Sequence, residues 1–132
     1  MTTPLHQLKA EFFKTLGHPM RIRVLELLSE RDHSVAEMLA ETGVEASNLS
    51  QQLAVLRRSG LVTARREAST VFYSLTSPQV AELLAVARGI LTTLLADQMK
   101  LLGHLQAETP EPARAAPGRG SPRRGATRAR AS

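Results

Sequence analysis

Ser47-Asn48-Leu49-Ser50-Gln51-Gln52-Leu53-Ala54-Val55-Leu56-Arg57-Arg58 is the stretch whose reading decides the fold of this chain. At 3.6 residues per turn, Leu49, Leu53 and Leu56 fall on one narrow face, with Ser47, Gln51 and Arg58 on the opposite one. One face is suited to burial and the other to hydrogen bonding. The outward side chains are hydroxyls and amides of short or medium reach ending in two arginines, the chemistry of a helix lying in a DNA major groove. A helix exposed only for solubility would more often carry Glu and Lys.

The residues before this helix set its context. Ser34 followed by Glu37 is a capping-box pattern, which opens a short helix over Val35 to Glu41. Thr42-Gly43-Val44 breaks it, and a short helix, a tight glycine turn and an amphipathic helix follow one another as in a helix-turn-helix. Further upstream, Leu5, Leu8, Phe12, Phe13 and Leu16 recur at helical spacing. Gly17 ends that first helix and His18-Pro19 starts the next, since proline suits a first helical turn. The second helix is expected over Pro19 to Ser29, apolar over more than half its circumference through Ile22, Val24, Leu25, Leu27 and Leu28, and Glu30 to His33 reads as a polar turn.

Downstream, Gly60 is expected to end the helix in the left-handed conformation, with Leu61 packing back. Leu61 to Arg66 and Thr70 to Leu75 are two β-prone runs joined by Glu67-Ala68-Ser69. Strands so short are marginal alone and must lie against the helices as a wing. Ser77 caps, and Pro78 starts, a last helix whose leucine stripe runs to about Leu105. That stripe is too long for one small domain to cover, and the same helix of a second copy is its natural partner. The expected fold is therefore mainly α with a small β-hairpin wing, a winged helix-turn-helix in the order helix, helix, helix, helix, strand, strand, helix. It occupies residues 1–106 and dimerises through its first and last helices, with Leu5, Leu8, Phe12, Leu84, Leu91, Leu94, Leu95 and Leu102 at the contact.

Composition bounds the rest. A chain of 132 residues has room for one domain and can fold without disulfides; it has no cysteine, which removes thiolate metal sites and cysteine redox sensing and suits a reducing cytoplasm. No apolar run is read as long enough to span a membrane, and Met1-Thr2-Thr3-Pro4-Leu5 lacks the pattern of a signal peptide, so a cytoplasmic protein is expected. The net charge of +5 is unevenly placed: residues 107–132 carry six arginines against Glu108 and Glu111, while the body is nearly balanced. That segment, rich in Pro, Ala, Gly and Arg, is expected to be disordered.

Several separate motifs resemble the ArsR/SmtB family of bacterial winged-helix repressors. They are Phe13-Lys14-Thr15-Leu16-Gly17-His18-Pro19-Met20-Arg21-Ile22-Arg23-Val24-Leu25-Glu26-Leu27-Leu28, Ser50-Gln51-Gln52-Leu53, Leu56-Arg57-Arg58-Ser59-Gly60-Leu61-Val62, Arg65-Arg66-Glu67 and Val71-Phe72-Tyr73-Ser74-Leu75. The resemblance covers about residues 5–105. It implies a homodimer with two recognition helices in successive major grooves of double-stranded DNA, wings on the flanking DNA, and repression relieved by a signal. Ser47, Asn48, Ser50 and Gln51 match the family's recognition positions, and Arg65 and Arg66 its basic wing strand, whereas Ala68 and Ser69 replace the glycine and basic residue usual at the wing tip.

The family's metal sites do not carry over. The site on the short third helix needs paired cysteines, and Ser34-Val35-Ala36-Glu37-Met38-Leu39 has none. The site on the last helix uses Asp and His, but Asp97 and His104 stand seven residues apart, about 10 Å along a helix and too far for one chelate. His6 and His104 are the residual pair for a zinc or nickel ion bridging two copies, without a third or fourth ligand in view, so no metal and no cofactor is expected.

The reading at this stage is a homodimeric, sequence-specific repressor on a palindromic operator, with an unidentified effector and no membrane association. Ser47, Asn48 and Gln51 are expected to meet base edges or phosphates, Ser50 either DNA or a local backbone group, Arg57 and Arg58 phosphates, and one of Arg65 and Arg66 the DNA backbone. No constellation of nucleophile, base and orienting acid occurs, so no enzymatic activity is expected. Two other readings fit the residues less fully: a winged-helix module that binds another protein, and a broad nucleoid-like DNA binder driven by the arginine-rich tail.

Overall fold

The structure, a computed structural model, describes residues 2–108. The expected disordered segment of residues 107–132 therefore lies almost wholly outside the described residues. The elements in order are α1 (Leu5–Leu16), α2 (Pro19–Glu30), β1 (His33–Ser34), α3 (Val35–Thr42), α4 (Ala46–Arg58), β2 (Val62–Glu67), β3 (Thr70–Leu75) and α5 (Pro78–Glu108). The chain divides into two compact units, one ending at Arg88 and one beginning at Gly89.

Local chemistry accounts for most boundaries of the first unit. The imidazole of His18 accepts from the Met20 amide at the start of α2, with Pro19 in its first turn. Ser34 and Glu37 form the reciprocal capping box at α3, and Gly43 closes that helix at φ 70. At the end of α4 the Leu61 amide donates to the Leu56 carbonyl and the Gly60 amide to the Arg57 carbonyl, with Gly60 at φ 78. That is the Schellman arrangement, with Leu56 and Leu61 both buried, and it turns the chain directly into β2.

The core is formed by Val24, Leu25, Leu27 and Leu28 of α2, Met38 of α3, Leu49, Leu53 and Leu56 of α4, and Leu16, Leu61, Val62 and Val80 around them. The three apolar positions that defined the α4 face are thus all buried.

The sheet contains the expected hairpin and adds a strand to it. It has three antiparallel strands in the order β1-β3-β2, because His33 and Ser34 pair with Tyr73 and Phe72. His33, read as the end of a polar turn, and Ser34, read as a helix cap, form an edge strand, and His33 is only 2% exposed, its Nδ1 lying 2.8 Å from the Arg31 carbonyl. A two-residue strand has no alternation of its own to read; its conformation is imposed by β3.

α5 also differs from expectation. Its most apolar stretch has a mean hydropathy of 1.4 within Pro78–Ala107, so by length and composition alone it could cross a membrane. The sequence shows no uninterrupted run because Glu82, Arg88, Asp97 and Lys100 are spaced through it, but Leu, Ala, Ile and Val between them keep the average high. In the first unit Val80 is buried and Leu83 and Leu84 pack on the core, so Leu84 serves the chain's own interior. In the second unit Leu91, Leu94, Leu95 and Leu102 are all more than half exposed.

Candidate nucleic-acid interface

The turn between α3 and α4 and the leucines beneath α4 fix which of its faces meets solvent. Ser47, Ser50, Gln51, Arg57 and Arg58 are exposed, and Asn48 is half-buried. Glu45 makes no side-chain cap bond at the start of α4, so its first-turn amides lack a side-chain acceptor. At the other end, Arg57 and Arg58 sit where positive charge complements the helix dipole. Neither arginine has an acidic partner among the described residues.

Beneath this face lies a polar relay that periodicity did not reveal. Gln52 is 8% exposed; its Oε1 accepts from Arg21 Nε at 2.9 Å, and its Nε2 donates to Asn48 Oδ1 at 3.1 Å. Arg21 also donates through Nη1 to the Thr15 carbonyl at the end of α1, 3.1 Å away. The signal available in the sequence was position: Gln52 lies three residues after Leu49 and four before Leu56, on the flank of the buried stripe.

The wing separates its two arginines. Opposite each other across β2 and β3 stand Arg65 and Phe72, and Arg66 and Val71, so adjacent side chains point to opposite faces of the sheet. Arg65 is fully engaged: it donates to Asp32 at 2.6 Å, to Glu67 at 2.7 Å and to the Ser74 hydroxyl at 3.1 Å, and lies 5.1 Å from the centre of the Phe72 ring. Glu67 and then Asp32 hold its guanidinium more firmly protonated than usual. The Ser74 hydroxyl and then Arg65 lower the Asp32 carboxyl below the usual carboxylate range. Arg66 is exposed and has no acidic partner among the described residues. The wing turn is Ala68-Ser69, with Ala68 in the left-handed region at φ 57.

Among the described residues no group of three or more His, Cys, Asp or Glu side chains could hold a metal ion. The segment Ser34 to Leu39 offers hydroxyl, carboxylate and thioether, and that carboxylate, Glu37, is spent on the Ser34 amide and Arg31. The donor sets of the family's metal sites are not present in these residues.

Comparison with known proteins follows the same geometry. A family profile described as "Bacterial regulatory protein, arsR family" matches residues 18–64, from the start of α2 into β2. An uncharacterized HTH-type transcriptional regulator of Mycobacterium tuberculosis, Rv0081, is 59% identical over 105 residues, which span 79% of this chain and 92% of that protein. Its crystal structure aligns with a TM-score of 0.69 at 60% identity, covering 74% of this chain and 99% of that one. The transcriptional repressor BigR of Xylella fastidiosa aligns with a TM-score of 0.58 at 37% identity, covering 67% and 88%. The transcriptional activator HlyU of Vibrio cholerae is 43% identical over 67 residues, 51% of this chain and 62% of that protein. A winged helix with an exposed polar face on α4 and near-complete coverage of such a relative leads to one assignment: this chain belongs to the ArsR family of bacterial regulatory proteins, transcriptional regulators that bind DNA and are not enzymes.

Proposed function

We propose that the protein is a cytoplasmic, homodimeric repressor that recognises a palindromic operator and is released by a signal still to be identified. The observation that carries this is the coexistence, in one chain, of a polar recognition face and uncovered apolar faces. Leu5 is 64% exposed, Leu8 53% and Leu94 51%, far more than a helix in contact with its intended partner leaves in water. A second copy would cover them, and two-fold symmetry would then present two copies of α4 to two half-sites.

In this reading Ser47, Asn48, Ser50 and Gln51 face bases or phosphates, Arg57 and Arg58 hold phosphates, and Arg66 is the wing residue turned to the DNA backbone. Arg65 acts from beneath by holding the wing in place. The test is sedimentation equilibrium of the full chain, combined with fluorescence anisotropy on its own upstream DNA and on random DNA of equal length. A dimer that binds the upstream site at least about a thousandfold tighter supports the reading. A monomer, or equal affinity for both DNAs, overturns it.

A further inference from the structure

Asn48 has a side chain that could present either its oxygen or its nitrogen to DNA, and the relay beneath it leaves no such choice. A guanidinium has only donors. Arg21 therefore demands an acceptor, and Gln52 meets it with Oε1 at 2.9 Å. The opposite end of the Gln52 amide must then be its NH2 group, which donates to Asn48 Oδ1 at 3.1 Å. With Oδ1 bonded to Gln52, the Asn48 amide is left with its NH2 group, which has no hydrogen-bond partner among the described residues. Arg21 is itself held by the Thr15 carbonyl, and Gln52 is 8% exposed, so the sequence of donors and acceptors is set inside the protein before any DNA arrives.

We infer that Arg21, acting through Gln52, fixes Asn48 as a hydrogen-bond donor on the recognition face, so that Asn48 selects base edges that accept. Those are guanine, through N7 and O6, thymine, through O4, and adenine, through N7, whereas cytosine offers only its N4 donor. The paired contact of an asparagine with adenine needs the Asn oxygen to accept from N6, and here Gln52 draws that oxygen to the inner side, which leaves donation to adenine N7. Gln52 and Arg21 are positioning residues, since neither has to touch DNA. The inference rests on the reading of α4 as the DNA-reading helix.

The test reverses the relay. In Gln52→Glu the new carboxylate accepts from Arg21 with one oxygen and offers only an acceptor to Asn48, which must turn over and present Oδ1 outward. Full-length wild-type, Asn48→Ala and Gln52→Glu proteins are each used to select binders from a DNA library randomised across the bound site. Asn48→Ala identifies the position that Asn48 reads. At that position Gln52→Glu should shift the preference from guanine or thymine toward cytosine by about tenfold, adenine being compatible with both orientations. An unchanged preference in Gln52→Glu, where Asn48→Ala has lost it, overturns the relay. Asn48→Ala with wild-type selection overturns the DNA-reading premise instead.

A readout without DNA separates the two further. Hydrogen exchange of the side-chain amides should find the Asn48 NH2 fast in wild type and slowed in Gln52→Glu; no slowing overturns the relay. Should Gln52→Glu fail to fold, Arg21→Met releases the orientation and is expected to erase preference at that one position. Equal loss at every position would mark the network as packing alone and overturn the inference.

Discussion

The Arg65 guanidinium donates to the Asp32 carboxylate at 2.6 Å, joining the wing to the segment that leads into the helix-turn-helix. Both side chains are 45% exposed, so the pair by itself is worth no more than about 1 kcal/mol. Its consequence is geometric, because Glu67, Ser74 and Phe72 engage the same group and so fix how β2 lies on β3. Arg65→Ala should therefore lower stability by about 1 kcal/mol and increase amide exchange in the wing. Arg66→Ala should leave stability within about 0.5 kcal/mol, yet weaken binding to operator and random DNA alike and reduce the salt slope by about one. Urea titrations beside anisotropy at several salt concentrations read both; the reverse assignment of effects would contradict the wing described above.

Acid should loosen the same junction. The Asp32 carboxyl is lowered by Ser74 and Arg65, and that of Glu37 by the Ser34 amide and Arg31. A carboxyl with a lowered folded-state pKa binds fewer protons than in the unfolded chain, so its stabilisation is complete above the unfolded value of about 4 and fades as pH falls through the folded one. Stability should be flat from pH 7 to 5 on account of these groups and decline below about pH 4. Asp32→Asn should reduce that decline, as measured by urea midpoints across pH; a slope identical to wild type would remove Asp32 from the linkage.

The wing tip carries a local misfit. Ala68 stands at φ 57, where a Cβ costs roughly 1 kcal/mol that glycine does not incur. Part of that is offset because glycine also loosens the unfolded chain. Ala68→Gly should stabilise the protein by about 0.5 kcal/mol, whereas Gly60→Ala, imposed at φ 78, should destabilise it by about 1 kcal/mol. Denaturant midpoints of the two variants test the pair.

What was legible in the sequence was what is decided within a turn or two of the chain. His18-Pro19, the Ser34 and Glu37 box, and Gly60-Leu61 each place donors and acceptors within five residues of one another, and the boundaries they mark are found in the structure. What escaped was set by distant partners. β1 exists because His33 meets Tyr73, and Arg65 is occupied because Asp32 lies opposite it, pairings no local pattern encodes. Gln52 is intermediate: its place on the wheel marks it as turned inward, but its partner Arg21 lies 31 residues away. Reading α4 as polar-out and leucine-in found the exposed side chains and missed the layer that orients one of them.

Gln51 tests the exposed layer directly. It is solvent-exposed on α4 and has no hydrogen-bond partner among the described residues, so removing its amide should cost little stability. Gln51→Ala should reduce the difference in affinity between operator and random DNA by about 1–3 kcal/mol while leaving random DNA binding and its salt slope unchanged. Equal losses on both DNAs would make Gln51 a phosphate contact and leave base reading to its neighbours.

In the proposed dimer, the apolar faces of α1 and α5 determine whether the reading of DNA reaches two half-sites at once. Leu8 is 53% and Leu94 51% exposed in the single chain, so neither is needed for the core, and a charge placed there should not unfold the winged helix. In a dimer the same charge would be buried without a partner, at a cost of several kcal/mol per copy. Leu8→Asp and Leu94→Asp should therefore each shift sedimentation toward monomer with unchanged helicity. Operator affinity should fall by at least about a hundredfold, because the second half-site is no longer bound intramolecularly, while affinity for an isolated half-site is retained. A dimer that survives both substitutions would place the two-fold contact elsewhere on the chain, and the spacing of the half-sites with it.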